Sequence, residues 1–178
     1  MLFRSLALVD FRGYAALESP FGAGPQLIVG PNAAGKTSLI EAIVMLAWGR
    51  SHRTSTDAEL IRWGRPFARV EGHVGEPRAA TVEIALVAAG GGQRKRIRVN
   101  GVPRRTSGLL GTLRVVLFAP EEMLLVAGSP SLRRAAIDLL AGQRSAAYLR
   151  DLATYGRALQ HRNGLLRAIR EEIGRAHV

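Results

Sequence analysis

"IVGPNAAGKTSLIEAI", residues 28–43, decides the fold. Within it, Gly30-Pro31-Asn32-Ala33-Ala34-Gly35-Lys36-Thr37 fits G-x-x-x-x-G-K-[ST] in full, with an apolar run before it and a helical pattern after it. The glycines let the backbone turn tightly, so that successive N–H groups point inward at phosphate oxygens. A helix that starts at the end of such a loop adds positive potential there. Lys36 is expected to reach the β- and γ-phosphates of a nucleoside triphosphate, and the Thr37 hydroxyl to take one position on Mg²⁺.

Outward from the loop, "QLIVG" (26–30) reads as a short buried strand, and 36–48 as a helix with Leu39, Ile40, Ile43 and Leu46 on one face. Upstream, residues 3–9 alternate weakly as a strand. "DFRGYAALESPFGAGP" then gives a turn and a second strand ending in Gly/Pro breakers. Downstream, 67–74 and 81–88 read as paired strands, and "AAGGGQ" as a flexible turn. In "RKRIRVNGVPRR" (94–105), Arg94, Arg96 and Arg98 alternate with Lys95, Ile97 and Val99, and Asn100-Gly101 supplies a hairpin turn. "LRVVLFAP" (113–120) reads as an internal apolar strand, and Ser129-Pro130 as a helix start with Pro near its first turn.

From Ser131 onward the pattern is helical. Leu152, Leu159, Leu166 and Ile173 recur every seven residues beside Leu149 and Ile169, as in an arm of coiled-coil type. An ordinary surface helix fits as well, because Gly156, Asn163 and Arg170 occupy other seam positions.

The chain has 178 residues, 47% of them hydrophobic, which is enough for one domain with a core, or for one domain and the start of another. A net charge of +11 points to a polyanionic partner, nucleic acid before membrane. Only two lysines occur, Lys36 and Lys95, and one of them lies in the glycine loop. The absence of cysteine excludes a disulfide framework and a cysteine zinc site. Arg4 and Asp10 interrupt any signal peptide and no apolar run is long enough to span a bilayer, so a cytoplasmic location is expected.

Hydrolysis needs more than the loop. It requires an acid at the end of an apolar strand and a group that activates water. No h-h-h-h-D pattern occurs; Asp138 follows Ile137 in a helical stretch and reads as an i,i+4 partner of Arg134. "VVLFAPEE" offers Glu121 and Glu122 at a strand end, where they could contact Mg²⁺ or its waters, or equally sit in the first turn of a helix.

Taken together, the motifs resemble the N-terminal part of the bacterial RecF DNA replication and repair family, ABC-type ATPases related to SMC and Rad50 heads. "LALVDFRGY", "GPNAAGKTSLIEAI", "GRSHRT" (49–54) and "VVLFAPEEMLLVAGSPSLRRAAID" (115–138) carry the likeness, and "YLRDLATYGRALQHRNGLL" looks like the family's helical arm. The resemblance implies an α/β P-loop NTPase, an incomplete ABC-type head with a β-rich N-terminal lobe over 1–128 and the start of a helical arm domain over 129–172. It implies ATP and Mg²⁺ as cofactors, bound by Gly30, Pro31, Asn32, Ala33, Ala34, Gly35, Lys36, Thr37 and Ser38, with Thr37 on the metal and Arg12 of "FRGY" near the nucleotide. Glu121 falls at the Q-loop position, as a contact to Mg²⁺ or water. Gly13 replaces the family's more usual Asn.

The family also has a second half with the Walker B acid and the signature motif, and it sandwiches ATP between two heads. Neither motif occurs in this sequence, so the chain reads as a fragment whose parent is a weak ATPase and which does not turn over ATP alone. "IGRAHV" is what one frame of a common sequencing adapter encodes, so 173–178 are expected to be non-native.

The family resemblance further implies DNA as a partner, ATP-dependent homodimerisation, a RecR-type recombination mediator, and roles in gap repair and the SOS response. The sequence itself offers Arg50, His52 and Arg53 after the loop helix, Arg94, Lys95, Arg96 and Arg98 in the hairpin, and Arg104 and Arg105 beyond its turn. With 6% aromatic residues and no interleaving of aromatics with these cations, backbone contacts to duplex or junction DNA are the expected mode. Two other readings share the loop: a small-molecule P-loop kinase, and an SMC- or Rad50-like chromosome-maintenance head. The first leaves "FRGY" and "LFAPEE" without a purpose, and the second needs many more heptads.

Overall fold

The computed structural model describes residues 2–76, 79–89, 92–120 and 124–176. Two compact units divide at residues 123/124, Met1–Met123 and Leu124–Val178. Glu121 and Glu122 lie outside the described residues.

The first unit is built on six antiparallel strands in the order β2-β1-β3-β4-β5-β6. They are β1 (Phe3–Phe11), β2 (Tyr14–Pro20), β3 (Phe67–Val74), β4 (Ala80–Ala89), β5 (Gly92–Val99) and β6 (Val102–Arg104). Period-2 alternation fixes which side each strand buries. Leu8, Val70, Ile84 and Ile97 face one another across four strands, and all are buried. The opposite face carries a charged row in which Glu71 stands against Glu83 and Glu83 against Arg98. Asn100 and Gly101, with φ of 52° and 75°, make the two-residue turn between β5 and β6.

Helix α1 (Lys36–Trp48) packs on the apolar face of the sheet. Gly72 of β3 permits the close approach, since a Cβ there would lie 2.6 Å from Leu46 and 2.8 Å from Phe3. The helix buries more than a single stripe: Leu39, Ala42 and every residue from Val44 to Trp48 are inside, while Ile40 faces out. A short 3-10 turn (Asp57–Leu60) and the one-turn α2 (Thr106–Leu109) complete the unit, contributing buried Leu60 and Leu109.

Two sequence expectations fail. Residues 26–30 form no strand, and Leu27 and Val29 are 88% and 76% exposed. Residues 113–119 form none either, and Val116 and Phe118 are 80% and 90% exposed. An apolar run becomes a strand only where another strand meets its N–H and C=O groups. Among the described residues, none of the six strands pairs with either run.

The second unit contains α3 (Leu124–Ala127), α4 (Pro130–Arg144) and α5 (Ala146–Ala176). Pro130 occupies the first turn of α4, where a missing N–H does no harm. Leu149 of α5 lies against Gly142 of α4, and the Tyr148 hydroxyl donates to Asp138 at 2.5 Å. Asp138 therefore serves as an acceptor for Tyr148, and no Arg134–Asp138 ion pair forms among the described residues. Along α5 the seam residues Leu159, Leu166 and Ile169 are exposed. No helix among the described residues is long and apolar enough to cross a membrane.

Candidate nucleotide site

The glycine loop ends on Gly35, which caps α1 with φ of 93°, a conformation that disfavours any side chain. A Cβ at Gly35 would also lie 2.9 Å from the Tyr14 hydroxyl and 3.0 Å from its ring. Tyr14 of "FRGY" thus lies directly against the phosphate loop, a contact that sequence reading missed. Among the described residues no side chain caps the helix start, and Leu39 N–H donates to the Gly35 carbonyl at 3.1 Å. The amides of Lys36, Thr37 and Ser38 precede that bond and remain available to an anion. The Lys36 ammonium folds back over the loop and donates to the Gly30 and Pro31 carbonyls, each at 2.7 Å. A cavity of about 380 Å³ is lined by Asn32 to Ser38 and by Arg53.

Arg12 occupies the turn between β1 and β2 with φ of 52°. Its backbone N–H donates to the Leu60 carbonyl at 2.8 Å, and its guanidinium forks onto Glu41 of α1 at 3.0 and 2.7 Å. The remaining Nη1 donates to the Glu59 carbonyl at 2.8 Å. Glu41 is fully buried and also accepts from the Ser51 hydroxyl at 2.5 Å and from Arg53 at 3.2 Å. Burial by itself would raise the Glu41 pKa. The hydrogen bonds from Arg12 and Ser51 and the charges of Arg12 and Arg53 outweigh it, and the carboxyl is held below its ordinary range. Four donors on one buried carboxylate join the "FRGY" turn, the loop helix and the "SHRT" turn into one network.

Beside the loop lies a second cleft of about 670 Å³, lined by Arg12, Gly13, Ser38, Arg53, Ala58, Glu59, Ile61 and Trp63. Ser38 and Arg53 belong to both cavities.

The remaining basic candidates are dispersed. Arg53 lines the phosphate cavity, although its neighbours in sequence suggest DNA. Arg50, Arg53 and Lys95 share a third hollow of about 420 Å³, in which Lys95 pairs with Asp57 at 2.8 Å. The alternation of β5 turns Lys95 to the side of Ile97, away from the face that carries Arg94, Arg96 and Arg98. Arg98 lies 3.6 Å from Glu83. Arg94 and Arg96 are exposed, with no carboxylate within salt-bridge distance among the described residues. Arg104 ends β6 and Arg105 precedes α2, both exposed. No cluster of three or more His, Asp or Glu suited to a metal occurs among the described residues.

Residues 5–114 match the AAA domain family model. The chain is 43% identical over 170 residues to the DNA replication and repair protein RecF of Halalkalibacterium halodurans, covering 95% of this chain and 45% of that protein. It is 42% identical over 173 residues to the RecF of Shouchella clausii, covering 97% and 46%. A solved structure of the recombination mediator protein RecF-ATPrS in the RecFOR pathway superposes with a TM-score of 0.84 at 33% identity, over 96% of this chain and 46% of that one. The RecF-ATP structure of the same pathway gives 0.83 at 32% identity, over 93% and 46%. The chain therefore spans somewhat less than half the length of these relatives. With an α/β fold of the P-loop ATPase type, and with relatives named RecF along almost its whole length, the chain belongs to the AAA domain family.

Proposed function

We propose that this chain is the ATP-binding portion of a DNA replication and repair factor that holds DNA in an ATP-dependent manner. The observation that carries the reading is the loop itself: an ammonium, uncapped helix amides and a hydroxyl surround a cavity, and among the described residues no carboxylate lines it. That donor set fits a triphosphate. Lys36 would exchange its two loop carbonyls for the β- and γ-phosphate oxygens, and Thr37 would give Mg²⁺ its protein hydroxyl ligand. Gly30 to Ser38 would cradle the phosphates; Asn32 to Ser38 and Arg53 line the cavity, and Arg12 and Arg53 share the buried Glu41 carboxylate. A bound Mg²⁺ would neutralise phosphate charge.

DNA, in duplex or junction form, is the proposed macromolecular partner, held by phosphate contacts from Arg94 and Arg96, with Arg50, Lys95, Arg98, Arg104 and Arg105 as further contacts. The pair between Lys95 and Asp57 is partly exposed, worth about 0–1 kcal/mol, and yields readily to a phosphate. On the family resemblance, the proposed setting is gap repair and the SOS response, the switch is ATP-dependent dimerisation, and a further partner is a RecR-type mediator; the relatives' names as DNA replication and repair proteins and as recombination mediators of the RecFOR pathway support the repair setting. In the full-length protein ATP should raise duplex affinity and shift mass to the dimer. Arg94→Ala with Arg96→Ala should lower the slope of log K against log salt by about 2. An unchanged slope, or DNA retention indifferent to ATP, would overturn the reading.

A further inference from the structure

Asparagine precedes glycine twice in the chain, at Asn100-Gly101 and at Asn163-Gly164. In such a pair the glycine amide can approach the neighbouring side-chain carbonyl, because no Cβ stands in the way. Both pairs are exposed, and a Cβ built on either glycine would meet nothing within 4 Å, so open space does not distinguish them. Their backbones do. Asn163 and Gly164 lie inside α5, where the helical ladder engages the Gly164 N–H and holds the chain on both sides. Asn100 and Gly101 form the tip of the β5–β6 hairpin, with φ of 52° and 75°. Among the described residues the Gly101 N–H donates to no backbone carbonyl. The Asn100 side-chain Oδ1 accepts from the Thr81 N–H at 2.8 Å.

We infer that Asn100-Gly101 is a self-modification site, at which the folded protein converts an asparagine into a carboxylate without an enzyme. Hydroxide takes the Gly101 amide proton, and that nitrogen attacks the Asn100 Cγ. The side-chain Cγ–N bond breaks, ammonia leaves, and a succinimide ring remains. Water opens the ring at either carbonyl, giving aspartate or isoaspartate. The Thr81 N–H already sits on the oxygen that takes negative charge during the attack, and a donor there is stabilising. In α5 the same attack requires the ladder to open first. The segment 92–105 carries cations and no acid, so the product is its first negative charge. Aspartate can still accept from Thr81, whereas isoaspartate lengthens the backbone of a two-residue turn and disturbs the pairing of Val99 with Val102. On the DNA reading above, on which this consequence rests, the added charge weakens the hairpin's hold on phosphate.

The test is incubation of the folded chain in mildly alkaline buffer, followed by peptide mapping with mass spectrometry and isoaspartyl methyltransferase labelling. Asn100 should convert at least about tenfold faster than Asn163, since an exposed turn opens more readily than a helix interior. In the guanidinium-unfolded chain the two rates should converge, because the fold creates the contrast. Equal rates in the folded chain, or a contrast that survives unfolding, would overturn the site. Full-length protein carrying Asn100→Asp separates the consequence from the chemistry. It should bind duplex DNA about threefold more weakly at low salt, with wild-type affinity for ATP. Wild-type DNA affinity in that variant would remove the hairpin from the DNA contact and leave the modification site standing.

Discussion

Glu41→Ala should be among the most damaging single changes in the first unit. Two oxygens on a side chain with no exposure accept from Arg12 Nε and Nη2, Ser51 Oγ and Arg53 Nη1. Removing one partner of a buried ion pair costs about 3–5 kcal/mol, because the stranded charge keeps its desolvation penalty. Arg12 retains 20% side-chain exposure and Arg53 44%, so both can turn partly to water, and the lower end applies, about 3 kcal/mol. For a chain of this length that lowers the melting temperature by roughly 6–12 °C. Glu41→Gln keeps the shape but gives the four donors a single acceptor oxygen and an opposing NH₂, and should cost about 2 kcal/mol. Urea unfolding followed by circular dichroism measures both variants. Losses below about 0.5 kcal/mol in Glu41→Ala would refute the claim that this carboxylate ties the "FRGY" turn to the loop helix.

The same network sets an acid limit. The folded Glu41 pKa lies below its ordinary 4.5, so its contribution is complete above the unfolded value and is lost as pH falls through the folded one. Stability should therefore drop steeply below about pH 4.5 in wild type and less steeply in Glu41→Gln, as read from urea midpoints across pH. Gly35→Ala meets both a left-handed backbone and the Tyr14 ring, so it should cost about 1–3 kcal/mol and weaken ATP more than tenfold in a titration. Adding Tyr14→Ala should recover only the steric part of that loss.

Much of the sheet was legible because its signals are local. Alternation fixes the faces of β3 to β5, Asn100-Gly101 fixes a hairpin, and the glycine loop fixes where α1 begins. The misses arise from long-range pairing. "QLIVG" and "LRVVLFAP" have strand composition, but composition cannot supply a neighbouring strand, and both runs stay unpaired among the described residues. At the site, Lys36 and Thr37 announced themselves through spacing. Glu41 did not, because a lone acid on a helix usually faces water. Tyr14 was missed for another reason: its contact with Gly35 depends on where "FRGY" meets the loop in space, which no spacing encodes. Arg53 shows the limit of reading charge runs, since its neighbours in sequence suggest DNA while its side chain lines the phosphate cavity.

The central claim is that the loop holding Lys36 binds the phosphates of ATP, and a calorimetric titration of Mg-ATP into wild type and Lys36→Ala tests it most directly. Among the described residues the Lys36 ammonium donates only to the Gly30 and Pro31 carbonyls, so the variant should unfold like wild type. Two charged phosphate contacts are worth about 3 kcal/mol together, so its affinity for ATP should fall by roughly 100-fold. A Lys36→Ala protein that binds ATP as tightly as wild type would contradict the account.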